Sequence, residues 1–247
     1  MTDRAATSPP EEDDPDRPAP APIGAPRWGL GDAAAGFLAA MLLSNLFVGV
    51  WLAARGATEI DLGGLAVGQV GMWAGLLGAP LLASRRKGAG RLAIDFGLRI
   101  RAVDISGFAV GAACQLLAVP LFYWLLQQLT GDLDVDGPAR ELTDRAQGPA
   151  FVVLALLVIL AAPVIEELFY RGLLLRAAQR RWGTGTAVVV SSAVFGASHL
   201  QLVQFPALFG FAVVLAVLTV RSGRLGPAII AHVAFNAVTI VAITLSR

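Results

Sequence analysis

Two histidines, His199 and His232, are the only ones in the chain, and both sit inside long apolar stretches. A third apolar stretch carries the adjacent pair Glu166-Glu167. Ionisable side chains are costly in lipid, so where they occur they face a protein or water-lined interior and mark function. A carboxylate and two imidazoles on three membrane-length segments imply a polar pocket between helices. Such a set supports proton transfer, water activation or metal ligation.

Spacing assigns roles. On a helix Glu167 and Arg171 are four apart, share a face and can pair. Glu166 points about 100° away from Glu167 and is left to face a pocket as a general base. Pro163, one turn earlier, cannot donate to the carbonyl of Ile159 and opens a notch in the helix. Phe195 lies one turn before His199 and can wall the pocket, while Gly196, Ala197 and Ser198 let a neighbouring helix come close. His232 and Asn236 are also four apart; together they can donate to an oxyanion, or Asn236 can hold His232 in one tautomer. Each motif read by itself also fits plain helix packing or ion pairing. No span before the fourth holds an ionisable side chain beyond Cys114 and Tyr123.

These residues need membrane helices to position them. The chain has 247 residues, 56% hydrophobic and 15% charged, with mean hydropathy +0.67. That composition predicts an all-α polytopic membrane protein. Spans are expected at Ala33–Ala54, Leu62–Ser84, Ile105–Leu129, Pro149–Ile165 running on toward Arg176, Thr184–Val203, Phe205–Val220 and Leu225–Leu245. That makes seven transmembrane helices, or eight if another lies after Ser84. The split around Gln204–Pro206 is the least defined. The lone Cys114 excludes an internal disulfide and a cysteine-based zinc site. No basic tract suited to nucleic acid is present, so the expected partners are membrane lipids and a membrane-associated substrate.

Residues 1–28 read as a disordered, Pro- and acid-rich cytoplasmic tail, 29–148 as N-terminal transmembrane helices and 149–247 as the catalytic transmembrane region. Basic segments, Arg85–Asp104 and Arg171–Arg181, alternate with the acidic Gly131–Gly148. The alternation predicts an N-terminus in the cytoplasm, and the Arg-rich, nearly Lys-free composition with short loops suggests a plasma membrane. Arg91–Arg101 alternates apolar and basic residues and is expected at the inner interface. One distance is awkward. Entering near Thr184, His199 lies about 22 Å along its span, whereas His232 lies about 10 Å along the seventh.

Glu-Glu-x-x-x-Arg, Phe-x-x-x-His and His-x-x-x-Asn, in that order on successive membrane helices, resemble the CAAX-processing and bacteriocin-processing intramembrane proteases, which include the type II CAAX prenyl endopeptidases. The resemblance covers about Phe151–Leu245. It implies an endopeptidase, called a metalloprotease in much of the family, whose site opens to the cytoplasmic side within the bilayer. By it, Glu166 activates water, His199 orients that water or binds metal, and His232 and Asn236 stabilise the oxyanion; Glu167 and Arg171 fill the rest of the first motif. Zinc held by Glu166, His199 and His232 is one option for a cofactor. A metal-free, glutamate-driven mechanism fits the residues as well. Two other readings use the same side chains: a non-proteolytic scaffold or bacteriocin-immunity protein, and a proton-coupled transporter.

Overall fold

A computed structural model describes residues 27–131, 133–135 and 137–245. Most of the 1–28 tail therefore lies outside the described residues. Trp28 does not behave as tail: it is buried, its ring lies 4.9 Å from that of Phe96, and the Arg180 guanidinium covers it at 4.0 Å.

Helix α1 spans Leu30–Arg55 and α2 spans Leu62–Lys87. Both grow from uncharged runs and end where the sequence punctuates them. Gly56, at φ 60°, closes α1 in the left-handed region that glycine adopts without strain. The Asp61 carboxylate accepts the Gly64 N–H at 2.7 Å and starts α2. Arg85, Arg86 and Lys87 occupy the last turn of α2, where the helix dipole favours cations. The pair is packed through Gly64, Gly68, Gly71 and Gly75, all buried. A Cβ at Gly75 would sit 2.3 Å from the Ala40 Cα, so the two backbones touch. Leu38, Leu42, Leu46 and Val50 of α1 project outward, as a lipid-facing stripe does.

After Ser84 the chain forms only a one-turn helix α3, Leu92–Asp95. Four residues cannot cross a bilayer, so this segment holds no eighth span. The composite helix α4, Ala102–Thr130, begins with a 3-10 turn and contains a wide π turn at Cys114–Ala118. Its Gly107 and Gly111 lie directly on the last helix of the chain, where a Cβ at Gly111 would meet the Ala231 carbonyl oxygen at 1.9 Å. A short helix α5, Gly137–Arg145, follows.

From Pro149 to Ser198 the chain is helical apart from one break, at Gly183 with φ 78° and ψ 171°. We divide this run into α6 (149–182) and α7 (184–198). Helix α8 is Phe205–Ser222 and α9 is Gly226–Leu245. Six helical runs among the described residues are long and apolar enough to span a membrane; the break at Gly183 turns the longest of them into two helices. The protein is thus a polytopic helical membrane protein, as its composition predicts.

Two boundaries differ from expectation. Arg171–Arg181 is not a loop, because α6 continues through it. Arg171 is buried against Glu167, and Arg176 and Arg180 bend to the Gly223 and Trp28 carbonyls. Helix α7 stops at Ser198 instead of Val203, and 199–204 form the turn, with Leu200 at φ 55°. The core is shared between the segments on either side of residue 148. Phe169 of α6 faces Gly36 of α1, and Phe96, Leu168, Leu173 and Phe195 belong to one buried cluster.

Candidate functional site

The site begins with a wide turn. In α6, residues Leu157–Ala161 wind as a π-helix, and the Ala162 N–H bonds back to the Leu157 carbonyl. The next bond in that register would run from residue 163 to the Val158 carbonyl, but residue 163 is proline and has no N–H. Val158, rather than Ile159, is therefore left with a free carbonyl, because the π turn adds one residue to the ring. Asn236 of α9 takes the vacancy, its side-chain amide donating to Val158 O at 2.8 Å. The amide thus ties α9 to α6 at the level of the proline.

One turn later come the glutamates. Glu167 is wholly buried and its Oε1 accepts two bonds, from Arg171 Nη1 at 2.8 Å and from His232 Nδ1 at 2.9 Å. The pairing with Arg171 is the one the four-residue spacing predicts. The contact with His232 is not legible in the sequence, although a carboxylate with lone pairs to spare after one pairing is the signal for it. Arg171 is itself wholly buried; its Nη2 donates to the Ala212 carbonyl at 3.1 Å, and its guanidinium lies 4.6 Å over Phe195. Glu167 Oε2 and Arg171 Nε have no hydrogen-bond partner. Glu166 takes the other direction. Its side chain is 17% exposed, and Oε2 lies 3.8 Å from His232 Nε2.

His232 is consequently held between two carboxylates. An ionised carboxylate only accepts, so the bond to Glu167 puts a proton on Nδ1 and turns Nε2 toward Glu166. The imidazole is also clamped sideways, with the rings of Phe195 and Phe211 meeting it near right angles at 5.8 and 5.6 Å. The sequence offers no sign of Phe211. Asn236, one turn further along α9, makes its bond to Val158 and not to His232, so Glu167 is the group that fixes the tautomer.

His199 sits where α7 ends. Its backbone N–H bonds to Gly196 O at 3.3 Å, and the Phe195 carbonyl accepts instead from Ser198 Oγ at 2.7 Å and His199 Nδ1 at 2.9 Å. A carbonyl only accepts, which places the proton on Nδ1 and leaves Nε2 bare. The Tyr170 hydroxyl donates to Ser198 Oγ at 2.9 Å and fastens this helix end to α6. The His199 ring is 4.9 Å from Phe195. Both histidines therefore rest on one phenylalanine, although helix rise along α7 and α9 puts them at different distances from the helix starts. Phe195 is the ring that both imidazoles contact.

Glu166, His232 and Phe195 come together, with Glu167 and Arg171 behind them. His199 joins through its contact with Phe195, with no ion pair to either glutamate among the described residues. No three His, Cys, Asp or Glu side chains converge closely enough to hold a metal among the described residues. As placed, the proposed ligand set Glu166, His199 and His232 does not gather on one point.

Comparison with known families agrees with the motifs. Residues 148–238 match the family model described as Type II CAAX prenyl endopeptidase Rce1-like. This region runs from the start of α6 to just past Asn236 and includes every side chain named above. No curated protein and no solved structure matches the chain.

Proposed function

We propose that the protein is an intramembrane endopeptidase that hydrolyses a membrane-associated or C-terminally lipidated substrate, with Glu166, His199, His232 and Asn236 acting at the scissile bond. The observation that carries this reading is His232 bound through Nδ1 to the buried Glu167, with Nε2 turned to Glu166. A purely structural ion pair needs Glu167 and Arg171 alone. The added imidazole and second, part-exposed carboxylate make a set fit for proton transfer.

In this mechanism Glu166 removes a proton from water, and the water oxygen adds to the substrate carbonyl carbon. The carbonyl electron pair moves onto oxygen. His232, when protonated on Nε2, donates to that oxyanion. Asn236 has one amide hydrogen engaged by Val158 and a second free for the same oxygen. His199 Nε2 accepts a hydrogen bond from the water and orients it. As the carbon–nitrogen bond breaks, Glu166 returns its proton to the leaving amine. Glu167 and Arg171 are positioning residues. The basic helix ends support a cytoplasmic N-terminus in a plasma membrane.

The test is cleavage of a mixed library of membrane-associated and lipidated peptides by protein in nanodiscs. Wild type, Glu166→Gln and His232→Ala are run side by side, each with and without a chelator. Glu166→Gln is expected to lose about 10² to 10⁴ in rate while keeping its unfolding midpoint. Equal cleavage by wild type and Glu166→Gln would sink the assignment and favour a scaffold. Loss of cleavage with chelator, restored by zinc, would bring a metal into the mechanism.

A further inference from the structure

We infer that a second site, at the basic end of the bundle, binds a phosphate anion carried by an acidic phospholipid. A cleft of about 300 Å³ lies between α3, the start of α4 and the turn joining α8 to α9. Arg99, Arg101, Arg176 and Arg224 line it, together with the backbone of Gly97 and Gly223. The acid beside it is Asp104, which is buried and already bound by Arg224, whose Nε lies 3.1 and 3.3 Å from its two oxygens. The neighbouring Asp95 is likewise spent, on Ser84 and on the Ala89 and Arg91 N–H groups. Arg99, Arg101 and Arg176 therefore make no ion pair among the described residues, although Arg101 lies near enough for its charge to act on Asp104. Arg99 and Arg101 are exposed. Arg176 donates one bond to the Gly223 carbonyl at 3.0 Å, and its buried Nε has no partner.

The cleft is built rather than incidental. Leu225 N–H bonds to Gly97 O at 2.8 Å and locks its two loops together. Gly97 has φ 69°, and a Cβ there would stand 2.6 Å from Arg176 Nη2. Any side chain at that position would enter the space beside the arginine. Planar, multiply donating guanidinium groups fit the oxygens of a phosphate.

The rim says how the phosphate arrives. Ile94 lines the cleft and is exposed, as are Ile100, between the lining Arg99 and Arg101, and Val103 and Ile105, which follow them in the chain. The cleft sits where α2 ends, α4 begins and α8 ends, the level of lipid headgroups on the basic side. Charge within and apolar side chains around match a headgroup with its acyl chains. A free phosphate would have no use for the isoleucines.

Native mass spectrometry of the full-length protein in detergent tests the site without reference to peptide cleavage. The probes are phosphatidylglycerol, phosphatidylcholine and inorganic phosphate. Wild type should retain phosphatidylglycerol in preference to phosphatidylcholine. The double variant Arg99→Gln/Arg101→Gln should bind it about ten- to thirty-fold more weakly, from the attraction expected per basic residue. The control Arg85→Gln/Arg86→Gln removes the same charge at the same end, outside the cleft, and should bind as wild type does. If inorganic phosphate displaces the lipid at equal concentration, the phosphate site stands and the lipid source is overturned. Equal retention of the two lipids, or equal weakening by both double variants, would overturn the site.

Discussion

Helices α1 and α2 are joined by the absence of side chains, whereas α6, α7 and α9 are joined by side chains that lipid would reject. In the first pair the contact is backbone against backbone, Gly71 lying on Leu43 and Gly75 on Ala40. In the second a buried carboxylate shared by an arginine and a histidine ties α6 to α9, and the Tyr170 hydroxyl ties α6 to Ser198 of α7. Within a bilayer neither contact gains from expelling water, since lipid is as apolar as leucine. The first is stabilised by close packing and the second by mutual neutralisation of charges that cannot be left alone. One region therefore tolerates no added volume, and the other no missing charge.

Removing charge should do the most damage. Arg171→Met leaves Glu167 buried beside a single imidazole and should cost about 3–5 kcal/mol, read as a fall in the unfolding midpoint in detergent. Glu167→Gln together with Arg171→Met should recover much of that stability yet still lower cleavage, because a neutral amide oxygen holds the His232 Nδ1–H less firmly than the carboxylate does. A harmless Arg171→Met would end the comparison. Adding volume comes next. Gly75→Val should destabilise by about 1–3 kcal/mol, while cleavage per folded molecule stays unchanged. Gly78, with nothing within 4 Å of its would-be Cβ, should accept alanine without loss. If Gly78→Ala is as harmful as Gly75→Val, packing at Gly75 is not what joins α1 to α2.

The smallest effect lies at the end of the packed pair. The Gly64 N–H first, then the Trp51 indole and the charge of Arg55, hold the Asp61 carboxyl below the usual carboxylate range, against a desolvation effect second only to the Gly64 bond. A lowered folded-state pKa adds stability above the unfolded value, and that stability fades as pH falls through the folded one. Unfolding midpoints of wild type should therefore drop more steeply than those of Asp61→Asn below the ordinary carboxylate range. Parallel curves would show that this cap contributes nothing.

What the sequence made legible follows the same division. Apolar run lengths placed the spans, and four-residue spacing found the Glu167–Arg171 pair, because both are local in the chain. The arginines of 171–181 misled because charge reads as loop. Here one is paired one turn away, and others reach carbonyls of distant segments, Gly223 and Trp28. The tie between Glu167 and His232 joins residues far apart in sequence and needs the fold to be seen. The π turn at Leu157–Ala161 carries no composition of its own, so the proline pointed one carbonyl away from the one it frees.

That turn also makes α6 indifferent to its own length at one point. A π turn is an α-helix that has swallowed one residue without rotating its flanks. Deleting the outward-facing Leu160 would return the ladder to α register, and the proline would then sit four residues after Val158 instead of five. The same carbonyl would still be the one without a donor, and Asn236 would still find it. A deletion variant that cleaves as wild type does would bear this out. Loss of cleavage would mean that the bulge itself, and not the vacancy it displaces, aims Glu166.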